Sequence, residues 1–215
     1  MRPWKSILDN AKTIISPSLF LKQQILNAYK EYDESKIVVI PNGIDTSKFT
    51  PQEKTKTIFS SGRLLPNKGF QYLIQAVSDE DLGWEVHIAG DGPMMQELKK
   101  LAEKSKTNVT LHGWLDNNGK EYKDLLEQAG IYVLASEKEN ASIALLEAMS
   151  AGCAVITTNV SGCPETVGET GSLVSPRNAP EINKEILPLI EESLYKNYGV
   201  LARERVQKSF DWELI

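Results

Sequence analysis

The sequence predicts an α/β fold, a Rossmann-like parallel sheet flanked by helices, and three observations predict it. Short apolar runs alternate with helix-like patterns from residue 57 onward. The run 131–134, Ile-Tyr-Val-Leu, is apolar at every position, as a strand buried on both faces must be. Glycine-containing loops follow directly on the apolar runs, the place where open α/β sheets bind their ligands.

Taken in order, residues 57–61 read as a strand, followed by a Gly/Pro/Asn loop and a helix over 72–77. Residues 85–89 form the next strand, leading through Gly90-Asp-Gly-Pro93 into a helix carrying Met95, Leu98 and Leu101 at helical spacing. A strand at 109–112 precedes a helix around 123–127. Residues 131–134 are the fourth strand and 143–149 the following helix, rich in good helix formers. Residues 154–158 form a fifth strand and 172–174 a short sixth; the segment 161–165 reads as a turn. Upstream, a strand at 13–15, a helix after Pro17 and an apolar run at 36–40 precede the regular repeat. Residues 210–215 stop inside an amphipathic pattern without a C-cap. Repeated strand, loop, helix and strand imply βαβ units.

Composition narrows the function. The chain has 215 residues, 41% hydrophobic and 25% charged, ordinary values for a globular fold with a real core. Its 24 basic and 29 acidic residues leave a net charge of −5, which argues against sequence-independent nucleic-acid binding. A phosphorylated ligand must therefore be held by local cations. Two cysteines, Cys153 and Cys163, make no disulfide framework, and the N-terminus lacks an unbroken apolar leader. No apolar run approaches the ~20 residues that span a bilayer. These features place the chain in the cytoplasm with reduced thiols.

Two familiar phosphate motifs fail. Gly90-Asp-Gly-Pro-Met-Met95 opens like a dinucleotide fingerprint, but Met95 stands where the closing glycine belongs. Lys68-Gly69-Phe70 inverts the Gly-Lys-Ser/Thr of a P-loop. Two other loops carry chemistry. Arg63 and Lys68 flank the loop 62–69, where they could clamp a diphosphate, with Gly62 permitting close approach of backbone to ligand; the same spacing also suits two solvated cations beside a helix start. Seven residues separate Glu139 from Glu147. Ser142 is placed as the N-cap of the helix, so that the amides around Ala141, Ser142 and Ile143 face the crevice as an anion site. Glu147, further into the helix, suits the vicinal diol of a ribose and Glu139 a sugar hydroxyl, although paired acids on a helix surface are common.

Together these residues resemble the large family-four retaining glycosyltransferases, of two-domain GT-B architecture. The resemblance rests on Gly62-Arg63…Lys68-Gly69, Gly90-Asp-Gly-Pro93, Glu139…Glu147 continuing into Ala148-Met-Ser-Ala-Gly152, the Pro164-Glu165 turn, and the hinge-like Pro41-Asn-Gly-Ile-Asp45…Phe49. It covers roughly residues 10–215 and implies the C-terminal, donor-binding half of the fold. It implies residues 1–35 as the remnant of a preceding acceptor domain and hinge, and 36–215 as the nucleotide-sugar domain. By resemblance Arg63, Lys68 and Glu139 are catalytic, the cations on the donor diphosphate and Glu139 on the transferred sugar. Glu147 takes the ribose, and Gly113 and Trp114 meet the base largely through backbone, with Gly62, Gly90, Ala141, Ser142 and Ile143 completing the substrate site. The nucleotide-diphosphate sugar is a substrate, and no metal or other cofactor is implied. The acceptor, a glycan or lipid, would be met by the domain that precedes this half, as would any peripheral membrane contact.

The chain departs from the family at Ala141-Ser142, where Phe-Gly is usual, and the terminal helix is expected to be cut short near Ile215. His87 and His112 fall in strands without acidic or thiol partners at metal-ligand spacing, and the charges of residues 181–208 read as solvated helix faces. Trp84, Tyr132 and Leu134 read as core, Cys153 as a small buried residue, and Cys163 as a turn residue.

Overall fold

The computed structural model describes residue 8 and residues 10–215. Six parallel strands form one sheet: β3 (Thr55–Ser61), β4 (Glu85–Ala89), β5 (Asn108–Gly113), β6 (Ala129–Leu134), β7 (Ala154–Thr158) and β8 (Gly171–Val174), in the order β5-β4-β3-β6-β7-β8. Strand alternation sends successive side chains to opposite faces, and both faces are packed. Ile58, Val86, Ile88, Ile131, Val133 and Ile156 face one core. It is covered by α2 (Phe70–Ala76), α3 (Met95–Ala102) and α7 (Ala179–Glu191). Phe59, Ala89, Tyr132, Leu134 and Val155 face the other, under α4 (Lys120–Gln128), α5 (Ile143–Ser150), the short α6 (Cys163–Val167) and α8 (Tyr195–Ser209). The two-sided burial explains why β6 is apolar throughout: every one of its six residues is buried. Trp84 packs edge-on against Tyr195, at a ring separation of 5.1 Å, so it belongs to the core, as do Tyr132 and Leu134.

A second, two-stranded sheet stands apart. β1 (Ile14–Ser16) pairs in parallel with β2 (Ile37–Val39). The helix α1 (Leu19–Ala28) lies between them in sequence. The run 36–40 thus pairs upstream and joins none of the six main strands. The Ser18 side chain caps α1, and Glu165 ties it to the larger unit, its two carboxylate oxygens each accepting an amide of Leu19 or Phe20 at 2.7 Å.

Three expectations change. The segment 161–165 is no simple turn: Ser161 takes a left-handed φ of 52°, and α6 starts at once with Pro164 in its first turn, where a missing N–H does no harm. The terminal helix ends at Ser209 rather than running on toward Ile215, because Phe210 and Trp212 exchange backbone bonds with Ile44, pulling the chain back over the segment after β2. Arg203 and Arg205 are not solvated. Arg203 donates to the Phe49 and Ser150 carbonyls and Arg205 to those of Glu165 and Thr166, so the charged face of α8 serves unpaired carbonyls at its neighbours' ends. Among the described residues no helix is long and apolar enough to cross a membrane.

Candidate functional site

β3 and β6 are neighbours, yet the chain leaves them in opposite directions, toward β4 and β5 from one and toward β7 and β8 from the other. A crevice opens at the carboxyl ends of such a pair. The loop after β3 is held from beneath: Gly62 N–H donates to the Ala89 carbonyl at 3.0 Å and Leu64 N–H to that of Asp91 at 2.9 Å. Gly90 is needed for this stitching, since a Cβ there would stand 1.8 Å from the Gly62 oxygen. Gly90 N–H in turn donates to the Gly113 carbonyl at 2.7 Å, drawing in the loop after β5.

Across the crevice, the loop after β6 is sewn to the loop after β3. Glu137 N–H donates to the Asn67 carbonyl at 2.8 Å, and Lys68 forms an ion pair with Glu139. Glu139 also accepts the Ser136 hydroxyl at 2.9 Å. Ser142 holds the N-cap position of α5, but its hydroxyl makes no capping bond, so the first-turn amides keep their capacity for a ligand. One turn further in, Glu147 is 6% exposed. Tyr122 on α4 donates to its Oε2 at 3.1 Å, and Lys48 Nζ lies 3.7 Å from its Oε1. Burial pushes the Glu147 carboxyl above the ordinary glutamate range, and the Tyr122 hydroxyl and Lys48 ammonium only partly offset this.

A cleft of about 410 Å³ gathers Gly62, Arg63, Gly90, Trp114, Ile143 and Glu147. Lys68 and Glu139 do not line it; they bridge the two loops through their ion pair. Gly113 contributes its carbonyl beneath the cleft. Ala141 and Ser142 line a second cavity toward α1, with Asn42, whose side-chain amide donates to the Ala141 carbonyl at 2.9 Å. Trp114 is 73% exposed, which leaves its indole face open at the rim. Sequence reasoning missed Tyr122, Lys48, Asp91 and Asn117. Asp91, Asn117 and Tyr122 line the cleft, and Lys48 reaches Glu147. Tyr122 looked like any apolar position of an amphipathic helix, and Lys48 arrives from a segment 99 residues before Glu147 in the chain.

The histidines do have acidic neighbours, contrary to expectation. His87 Nε2 lies 3.3 Å from Glu85 and His112 Nδ1 3.7 Å from Glu121, while His87 Nδ1 and His112 Nε2 are within hydrogen-bond distance at 2.8 Å. Glu85 and His87 share one face of β4 at a spacing of two, and the pairing of β4 with β5 brings His112 against His87, which no local spacing shows. Among the described residues no group of three or more His, Cys, Asp or Glu side chains could hold a metal ion. Cys153 and Cys163 are both buried, and burial pushes the Cys163 thiol up to about 11, which makes it a poor nucleophile.

The raised Glu147 carboxyl has a measurable consequence. A carboxyl whose folded-state pKa is raised binds its proton more tightly in the native than in the unfolded chain. Stability therefore falls as pH rises from the ordinary glutamate range through the folded value. Glu147→Gln is expected to raise the urea midpoint at neutral pH, with the advantage shrinking on acidification. An unchanged or lowered midpoint at neutral pH would show that Lys48 and Tyr122 fully compensate the buried charge.

A doubly wound parallel sheet, with a cation and a buried carboxylate sharing one cleft at its switch point, defines an open α/β domain with a polar crevice at the carboxyl ends of its strands. Its structural neighbours are GT-B glycosyltransferases. Anabaena HepE, solved in complex with UDP, superposes with a TM-score of 0.85 at 19% identity, over 95% of this chain and 61% of its own. A glycosyltransferase from Rickettsia africae superposes with a TM-score of 0.80 at 23% identity, over 100% and 64%. The chain belongs to the glycosyl transferases group 1 family, whose model matches residues 44–205. In sequence it is 27% identical to a glycosyltransferase of Methanocaldococcus jannaschii over 98% of this chain, and it spans 58% of that relative's length.

Proposed function

We propose that this chain is the donor half of a retaining, family-four glycosyltransferase. It binds a nucleotide-diphosphate sugar, and with an acceptor-side domain it passes the sugar to a glycan or lipid. The observation that carries this reading is the shared cleft: Arg63 and the first turn of α5 meet the charge of a diphosphate, while Glu147 offers a buried acceptor for a ribose diol. Lys68 and Glu139 stand ready beside it, the first for phosphate oxygens and the second for a sugar hydroxyl. As the bond from the sugar to the diphosphate breaks, its electron pair leaves with the diphosphate. Arg63, Lys68 and the α5 amides stabilise that charge, and no metal is required. The new bond forms to the acceptor oxygen, whose O–H bond breaks as its proton passes to the departing diphosphate oxygen.

HepE, a structural neighbour, is solved with UDP, which makes UDP the first nucleotide to try. The test is calorimetric titration of the chain with UDP, GDP and ADP. Saturable binding of one of them at one site per chain is the expected result and identifies the base. Absence of binding by all three at millimolar concentration would sink the donor-site reading.

A further inference from the structure

Beneath the cleft runs a line of buried hydroxyls that ends on Glu147. Tyr132 and Tyr122 each place their hydroxyl 3.0 Å from Ser61 Oγ, and Tyr122 lies 3.1 Å from Glu147 Oε2. Phe59 meets both tyrosine rings edge-on and fixes their planes, with centroids 5.7 and 6.0 Å away. Each hydroxyl has a single proton, and an ionised Glu147 has none, which fixes Tyr122 as the donor to the carboxylate. With its own proton so committed, the Tyr122 oxygen accepts from Ser61 when that hydroxyl turns toward it, and Tyr132 then donates to Ser61 Oγ or to the Ser61 carbonyl, 3.4 Å away. Chained donors of this kind polarise one another and strengthen the terminal bond.

We propose that Tyr122, backed by Ser61 and Tyr132, is a positioning residue that holds the Glu147 carboxylate in the orientation that receives the ribose hydroxyls. The proposal rests on the donor-site reading above. Tyr122 claims Oε2 and Lys48 stands over Oε1, so the carboxylate cannot turn freely about its last bond. What is left for a ligand is a fixed set of lone pairs facing the cleft that Tyr122 and Glu147 both line. Tyr122 as a residue is 2% exposed, so although it borders the cleft its main route to a nucleotide is through the carboxylate.

The test uses Tyr122→Phe, which keeps the ring and removes the donor, and Ser61→Ala, which breaks the line one step back and leaves Tyr122 in place. Each is titrated with UDP and with 2′,3′-dideoxy-UDP. Tyr122→Phe is expected to weaken UDP roughly tenfold, Ser61→Ala to weaken it less, and neither to change the affinity for the dideoxy ligand. Equal weakening of both ligands, or no weakening of UDP, overturns the proposal. A second measurement needs no ligand: the carbon-detected titration of the Glu147 carboxyl. Its midpoint is expected to move up in Tyr122→Phe, and an unmoved midpoint overturns the proposal. If the unaltered chain does not distinguish UDP from the dideoxy ligand, the ribose reading of Glu147 fails, and this titration still decides whether Tyr122 holds the carboxylate.

Discussion

Lys68→Ala is expected to weaken UDP binding by roughly 100-fold, and the double variant with Glu139→Gln to recover part of that loss. Two effects combine. The substitution removes a cation placed for phosphate oxygens, a charge-assisted contact contributing about 1.5–3 kcal/mol. It also strips Glu139 of its ion-pair partner. The Glu139 side chain is 13% exposed and keeps only the Ser136 hydroxyl among its bonded partners, so an uncompensated carboxylate would stand beside an incoming diphosphate. Neutralising Glu139 removes that repulsion, which is why the two substitutions should couple rather than add. In a transfer assay that includes the acceptor side, the rate loss for Lys68→Ala should reach roughly 10²–10³. Calorimetry on the two single variants and the double checks the coupling. Strictly additive losses would mean that the ion pair and the nucleotide site are independent.

Gly69→Ala is expected to destabilise the chain by about 3 kcal/mol or more and to abolish nucleotide binding with it. Gly69 sits at a left-handed φ of 76°, between the turn carrying Lys68 and the start of α2. A Cβ at this position would lie 2.0 Å from the Ala135 oxygen and 2.7 Å from its carbon, both backbone atoms of the loop after β6. No side-chain rotation relieves such an overlap, so one loop must move. Either movement breaks the bond from Glu137 N–H to Asn67 and separates Lys68 from Glu139. Urea denaturation measures the stability loss. A variant with native stability and native affinity would show that the two loops yield without disturbing the site.

The strand repeat was legible because burial on two faces forces a nearly continuous apolar run, as in β6, and because breakers punctuate the chain at 62–69, 90–93 and 113–119. Segment bounds agreed to within a few residues, and 85–89 and 154–158 matched the strands residue for residue. Arg63, Lys68 and Glu139 could be nominated for the same reason: each lies in a loop that follows a strand, where the topology leaves side chains at the sheet's open end, and Glu147 through its seven-residue spacing from Glu139. The Tyr122 hydroxyl, the Lys48 ammonium and the histidine pair could not. Tyr122 occupies an ordinary core position of an amphipathic helix, and its polar tip acquires meaning only against Glu147 and Ser61.

The sequence by itself determined the class of fold, the order of its elements and the loops that carry chemistry. These follow from local periodicity, from turn residues and from the alternation that a parallel sheet imposes. Only the tertiary structure decided how those loops are joined. It drew six of the expected residues into one cleft, set Lys68 against Glu139, turned Ala141 and Ser142 toward a second cavity, and gave Arg203 and Arg205 carbonyl partners in place of solvent. The reason is that hydrogen bonds and ion pairs are short-ranged. Whether two polar groups meet depends on strand order and on a few ångströms of loop packing, and neither is written in the spacing of residues along a single chain.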